Sequence, residues 1–394
     1  MLHIDQLPEE KDLDMTLFLA VTVLAWLFGI LCSLHSLRLG FITREAGRQS
    51  LRRDNLPPVS IIMTVHNQQS ALQSNLPAIL SQNYSAPFEV IVVDMNSEDD
   101  TLKVLEEMEK ENVHLHHTFC PDTARDISIS RLAFTLGFRS ACYEWVLMIS
   151  PDVTPLSSRW LLGMAQALRN DVDAAQGFIF YGSLHGWFGA KCHFFRLWQQ
   201  SLWMPWMTHF TPYRADSSCL AYRKSLFMSH QGFASSFSLR FGAGTLLVNH
   251  NVKRHRMALA MHPDAFLMQQ QPTCQTWLQH RVFHMETRRH MHHAIPYRLW
   301  YAMRIWGNYI WVPLAAFALL TFNLPIYIMY MCAVLWLLSL TMASISWYAM
   351  ARMMRVRSYA LLYPLLQVLV PWWDICAWLH WRFESRKTFR KKFV

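Results

Sequence analysis

The chain has 394 residues and a formal net charge of +9, from 36 Lys and Arg against 27 Asp and Glu, with 53% of residues hydrophobic and 16% charged. The charged share is well below the roughly 25% of an ordinary soluble domain, which excludes a disordered tail or a coiled-coil rod and points to a soluble core held between membrane segments. Basic residues cluster beside apolar runs instead of interleaving with base-stacking aromatics, so membrane-surface charge accounts for the excess and no nucleic-acid partner is expected.

After a short N-terminal tail, 1–14, the stretch 15–37 is almost wholly apolar and reads as a transmembrane helix. Its leading region is acidic (Asp5, Glu9, Glu10, Asp12, Asp14) and no small-residue cleavage site follows, which argues against a signal peptide. The linker 38–56 carries Arg38, Arg44, Arg48, Arg52 and Arg53, and the positive-inside rule puts the domain behind it in the cytoplasm.

From 57 to 297 short β-rich runs alternate with helical stretches, the pattern of an α/β sheet with crossover helices. Strands are expected at 59–65, 88–94, 114–119 and 145–149, and helices at 71–81, 101–110 and 128–141. Asp94 closes the second strand and Asp152 follows the fourth, at the carboxyl edge where ligands gather in such sheets. Taken alone, each is more often a turn or cap residue.

Beyond the domain, 306–350 reads as a hairpin of two spanning helices interrupted near Asn323 and Pro325. The apolar stretch 359–381 holds Pro364, Pro371 and Asp374 and precedes the basic tail 382–394, so an interfacial or re-entrant helix is expected. The eight cysteines (Cys32, Cys120, Cys142, Cys192, Cys219, Cys274, Cys332, Cys376) stand singly, suggesting neither a disulfide framework nor a zinc ribbon. His280 and His284 have the i, i+4 spacing of a helical metal pair, but the Glu of HExxH is missing and no third ligand is fixed by spacing. With Arg288 and Arg289 they read as membrane-proximal polar residues.

The runs VSIIMTVHN (59–67), PAILSQNY (77–84), EVIVVDMNSEDDT (89–101), SRLAFTLGFRSACYEWVLMISPDVTPLSSRWL (130–161) and LAYRKSLF (220–227), with Gly232 and Phe233 after them, together resemble the family-2 glycosyltransferases. The flanking apolar segments are similar to those of a bacterial membrane-anchored subgroup. The resemblance implies a Rossmann-like, glycosyltransferase A-type α/β fold flanked by transmembrane helices, in the cytoplasmic (inner) membrane with the domain in the cytoplasm. It also implies a nucleotide-diphosphate sugar as donor, membrane lipids or a lipid-linked glycan as partners, Mg or Mn on a DxD motif, and an Asp base for inverting attack.

Carried onto this chain, the resemblance assigns His66, Asn67, Asp94 and Asp99 to nucleotide binding and Asp152 to the metal. The DxD position reads Ser150-Pro151-Asp152, a weakened site with its first acid missing. The family's base segment reads Gly242-Ala243-Gly244-Thr245, so no catalytic residue is assigned there. The Gly-x-Gly-Arg-Asn run reads Ala215-Asp216-Ser217-Ser218-Cys219, and the QxxRW-like position reads His280-Arg281-Val282-Phe283-His284. Asp216 and Asp264 are the acids left to replace the base. These departures point to a pseudoglycosyltransferase of cell-envelope glycan assembly, with catalysis lost or strongly reduced, serving as partner or regulator of a related active transferase. The alternative is an active inverting transferase. A processive polysaccharide synthase fits least, because few spans are left to build a channel.

Overall fold

The computed structural model describes residues 37–121, 128–182, 185–306 and 326–384, with isolated positions between 16 and 34. One compact unit is Ile42–Ala294 with Asp374–Val394, and the other is Met1–Phe41 with Ile295–Trp373. Most of the expected helix 15–37, the first half of the expected hairpin (307–325) and the tail from 385 lie outside the described residues.

After α1 (Leu37–Ala46) the chain alternates as β1 (Val59–Val65), α2 (Gln69–Leu80), β2 (Phe88–Asp94), α3 (Thr101–Glu111), β3 (Leu115–Phe119), α4 (Ile129–Ser140) and β4 (Trp145–Ile149). The second half is less regular: β5 (Val153–Pro155), α5 (Trp160–Ala165), β6 (Ala174–Gly177), β7 (Ile179–Tyr181), α6 (Gly186–His209), β8 (Cys219–Arg223) and α7 (Lys224–Ser229). It ends with α8 (Ala243–Asn251), β9 (Met257–Ala260), β10 (Leu267–Gln269) and α9 (Cys274–Thr287).

Seven strands form one sheet in the order β3-β2-β1-β4-β8-β6-β9. The first four are parallel, β8 runs antiparallel to both β4 and β6, and β9 is parallel to β6. Strands β2 and β4 are buried along their whole length and β1 at all but one position. Such continuous apolar runs are what a parallel sheet covered on both faces demands. Helix α4 lies close on this sheet because Gly137 has no side chain: a Cβ there would stand 2.5 Å from Cγ2 of Ile62.

Register then decides what meets at the sheet's carboxyl edge. Val65 pairs with Asp94 and Met63 with Ile149, so Asp94 and the turn at Ser150–Asp152 leave the same edge. Because β8 is antiparallel, with Cys219 opposite Ile149, Ser217 and Ser218 arrive there too. A three-stranded sheet, β5-β10-β7, puts Gln269 in register with Val153 and Tyr181.

The remaining helices are α10 (Ile295–Trp306), α11 (Ile326–Met353) and α12 (Tyr363–Phe383). Ala333–Met353, within α11, and Ala360–Phe383, which takes in α12, are long and apolar enough to cross a membrane. Trp347 is buried in its unit, its indole N–H donating to the Ser358 carbonyl at 2.5 Å. Pro371 lies inside α12 and does not end it.

Candidate functional site

Two loops at the carboxyl edge carry the residues assigned to the nucleotide, and hydrogen bonds knit them together. Asp94 accepts from the Ser97 hydroxyl (2.5 Å) and the Ser97 N–H (3.1 Å), which turns the chain sharply after β2. Asn67, in the left-handed region at φ 52°, takes its N–H to Ser97 Oγ (2.9 Å) and its Oδ1 to the Glu98 N–H (2.7 Å). His66 Nδ1 donates to the Met95 carbonyl at 3.0 Å. Asp99 accepts from the Gln69 N–H (3.3 Å) and the Thr101 N–H (3.1 Å). The hydrogen bonds from Thr101 hold the Asp99 carboxyl below its usual range. The structure thus brings all four residues to one lip between β1 and β2.

Asp152 sits across this edge in a closed circuit of hydrogen bonds. Its Oδ1 accepts from the Ser150 hydroxyl (2.5 Å) and its Oδ2 from the Gln269 amide (2.6 Å). The Gln269 carbonyl accepts from Arg196 Nη1, and Arg196 Nη2 donates to Asp216 Oδ2 at 3.0 Å. Asp216 Oδ1 accepts from the Ser218 N–H (3.0 Å), and Ser218 in turn accepts from the Ser150 N–H (3.4 Å). Arg196 also stacks on the Tyr181 ring, 4.6 Å from its centroid.

Arg196 and Asp216 open on a cavity of about 250 Å³ that is also lined by Arg214, Gly242, Thr245, His280 and His284. Gly242 is left-handed at φ 76° and starts α8; a Cβ on it would stand 2.4 Å from Thr287 Cγ2. Only glycine lets α8 approach α9 this closely in that conformation. Of the four residues at the family's base position, Gly242 and Thr245 reach the cavity. Gly244 packs against Leu220 and Ser217, and Thr245 donates to the Ala215 carbonyl at 2.6 Å.

Both substitute acids are held in ion pairs. Burial pushes the Asp216 carboxyl up, but Arg196, the Ser218 N–H and Arg214 outweigh it and hold it below the usual carboxylate range. Asp264 pairs with Arg159 at 2.9 Å on a turn outside the cavity lining. His280 and His284, at helical spacing on α9, form part of the cavity wall. Loss of water around the ring pulls the His280 pKa down, with Arg196 adding to the effect and Asp152 and Asp216 opposing it. His284 is pulled well below its ordinary value by burial and by Arg214, Arg288 and Arg281, and its Nε2 accepts from Arg214 at 3.4 Å.

The His284 shift has a stability consequence. A histidine with a lowered folded pKa binds fewer protons than the unfolded chain below pH 6.5, so its stabilisation is present above that pH and is lost as pH falls toward the folded pKa. Its contribution to the unfolding free energy should fall by up to about 1.4 kcal/mol per pH unit below 6.5. His284→Gln, which still accepts from Arg214, should flatten that part of the profile. Denaturant unfolding of both proteins between pH 7.5 and 5.5 checks this, and parallel profiles would remove His284 as the source.

Residues 60–230 match the profile of Glycosyl transferase family 2. The chain carries a family-2 glycosyltransferase domain. A hyaluronan synthase from Pasteurella multocida is 27% identical over 115 residues, which are 29% of this chain and 11% of that relative. The solved mannosyltransferase PcManGT from Pyrobaculum calidifontis, in complex with GDP-Man and Mn2+, superposes with a TM-score of 0.50 at 14% identity. That likeness covers 92% of this chain and 100% of the other, and it establishes a glycosyltransferase A-type fold.

The residues at the DxD position of this family-2 domain offer a divalent cation a weakened site. A hard cation takes about six oxygens, with carboxylates foremost. Here Asp152 is the single acid of the motif, and both its oxygens already accept hydrogen bonds. Among the described residues no group of three or more His, Cys, Asp and Glu could hold a metal ion. The motif reading did not reach Arg196, Arg214 and Gln269. They come from a tryptophan-rich helix, an irregular loop and a three-residue strand, none of which carries a recognisable pattern.

Proposed function

We propose that this protein is a membrane-anchored glycosyltransferase-family protein that binds a nucleotide-diphosphate sugar and has lost or strongly reduced sugar transfer, acting as partner or regulator of a related active transferase in cell-envelope glycan assembly. The observation that supports this is the cavity wall at Gly242 and Thr245, which has no carboxylate to take an acceptor proton. Asp216 is neutralised by Arg196 beside it. Losing a positioned general base lowers a rate by about 10²–10⁴. The membrane anchor and the cytoplasmic side of the domain rest on the two long apolar helices and on the arginines after residue 37.

One observation favours the alternative, an active inverting transferase moving a sugar to a lipid-linked or glycan acceptor. His280 lines the cavity with its pKa lowered, hence as a neutral imidazole able to accept a proton. Product formation separates the two readings. The purified full-length protein, given nucleotide sugars, metal and membrane-derived acceptors, is expected to form no product above background while still binding nucleotide. Turnover abolished by His280→Ala would establish the active enzyme instead.

A further inference from the structure

The lining of the cavity beside Asp152 carries three arginines, Arg196, Arg214 and Arg281, and one acid, Asp216. Arg196 is 14% exposed and Asp216 26%, and they neutralise each other. Arg281 is matched by Asp374. Arg214 has hydrogen bonds to Gln199 (3.0 Å) and His284 (3.4 Å), both neutral groups. Two guanidiniums, Arg196 and Arg214, thus stand at this half-open cavity, with Asp216 in its lining and Asp152 behind Gln269 as counter-charges, and the N-terminus of the nine-residue α8 adds partial positive charge at Gly242. Arginines set together in a cleft attract an anion.

The position of these arginines matters as much as their charge. Arg196 is tied through Gln269 to Asp152, the surviving acid of the metal motif. We propose that Arg196 and Arg214 form a metal-independent site for the diphosphate of a nucleotide sugar, a fixed pair of guanidiniums standing where the family uses a divalent cation. A guanidinium fork matches phosphate oxygens in two-point contact, and Arg196 is already oriented by Tyr181, Gln269 and Asp216, so little side-chain freedom is lost on binding. Gln269 and Ser150 meanwhile each donate a hydrogen bond to an Asp152 oxygen. A cavity of about 250 Å³ is at the small end of ligand pockets, suited to the diphosphate part of the donor rather than to the whole of it.

This inference rests on the nucleotide-sugar reading, and the experiment separates the two. Binding of UDP and GDP to the detergent-purified full chain is measured by calorimetry with Mn2+ and with excess chelator. Affinity is expected to be the same in both, and to fall about tenfold or more in Arg214→Gln, the loss of a charge-assisted contact. Arg214→Lys should recover part of it. Arg196→Gln leaves Asp216 without its partner, so Arg196→Gln with Asp216→Asn is the matched variant and should weaken binding similarly. Binding that vanishes with chelator, or an Arg214→Gln protein that melts like wild type and binds equally well, overturns the arginine site while leaving the nucleotide reading intact. Failure of the wild-type protein to bind either nucleotide overturns both.

Discussion

Asp374→Ala is expected to destabilise the domain by about 3–5 kcal/mol, the usual loss when one partner of a buried ion pair is removed. Asp374 pairs with Arg281, whose side chain is 7% exposed, and is itself 14% exposed. The Arg281 guanidinium lies 3.8 Å from the centroid of Phe195 and 5.5 Å from that of Trp277. Without Asp374 it would be left charged among aromatic rings, and an arginine does not escape by giving up its proton. Replacing both partners, Arg281→Met with Asp374→Leu, should restore most of the loss, since apolar pairs of similar volume often match or exceed a buried ion pair. Denaturant unfolding of the purified protein followed by tryptophan fluorescence tests this. Equal destabilisation of single and double variants would show that packing, not the uncompensated charge, is responsible.

That ion pair also shows where sequence reading gains and loses. Asp374 reads from the sequence as a charge that argues against spanning, and the structure supplies the reason such a residue sits in an apolar helix: a partner on α9. The tryptophan at 381 makes a second link, its indole N–H donating to Glu286 at 2.9 Å. Neither partner is legible, because pairs 93 and 95 positions apart leave no local pattern. By contrast β1, β2 and β4 fall where their apolar runs place them, since burial on both faces writes itself directly into composition. Helices α2 and α4 shift by only one or two residues at their ends. The three-residue strands β5, β7 and β10 are too short to show a period, yet they carry Gln269 to Asp152. The lip of His66, Asn67, Asp94 and Asp99 was legible because strand ends and turn residues are local features. The cavity was not, because α6, the Arg214 loop and α9 meet there only through tertiary packing.

Arg131→Ala should cost about 3–5 kcal/mol and loosen the segment that leads to the cavity. Arg131 is fully buried in the first turn of α4, where a cation is disfavoured by the helix dipole, so its presence needs another cause. Its Nε donates to the Leu239 carbonyl (2.7 Å), Nη1 to the Ser236 hydroxyl (2.8 Å) and Nη2 to the Phe241 carbonyl (2.9 Å). All three acceptors belong to the loop that ends at Gly242, and the guanidinium lies 5.3 Å from the Phe233 ring centroid. Burial lowers its pKa to about 10, which still leaves it charged at neutral pH. Truncation strips three acceptors of their donor, at about 1–3 kcal/mol for each one left unsatisfied, part of which the loop recovers by relaxing. Arg131→Lys should recover only a fraction, because a single ammonium on a flexible stem cannot span three acceptors in one plane. Thermal melting ranks the two variants, and hydrogen exchange of residues 234–242 locates the loss. Faster exchange confined to that loop in Arg131→Lys would show that Arg131 sets the entry to α8 and with it the wall formed by Gly242 and Thr245. Unchanged exchange there, with destabilisation spread across α4, would assign it to core packing alone.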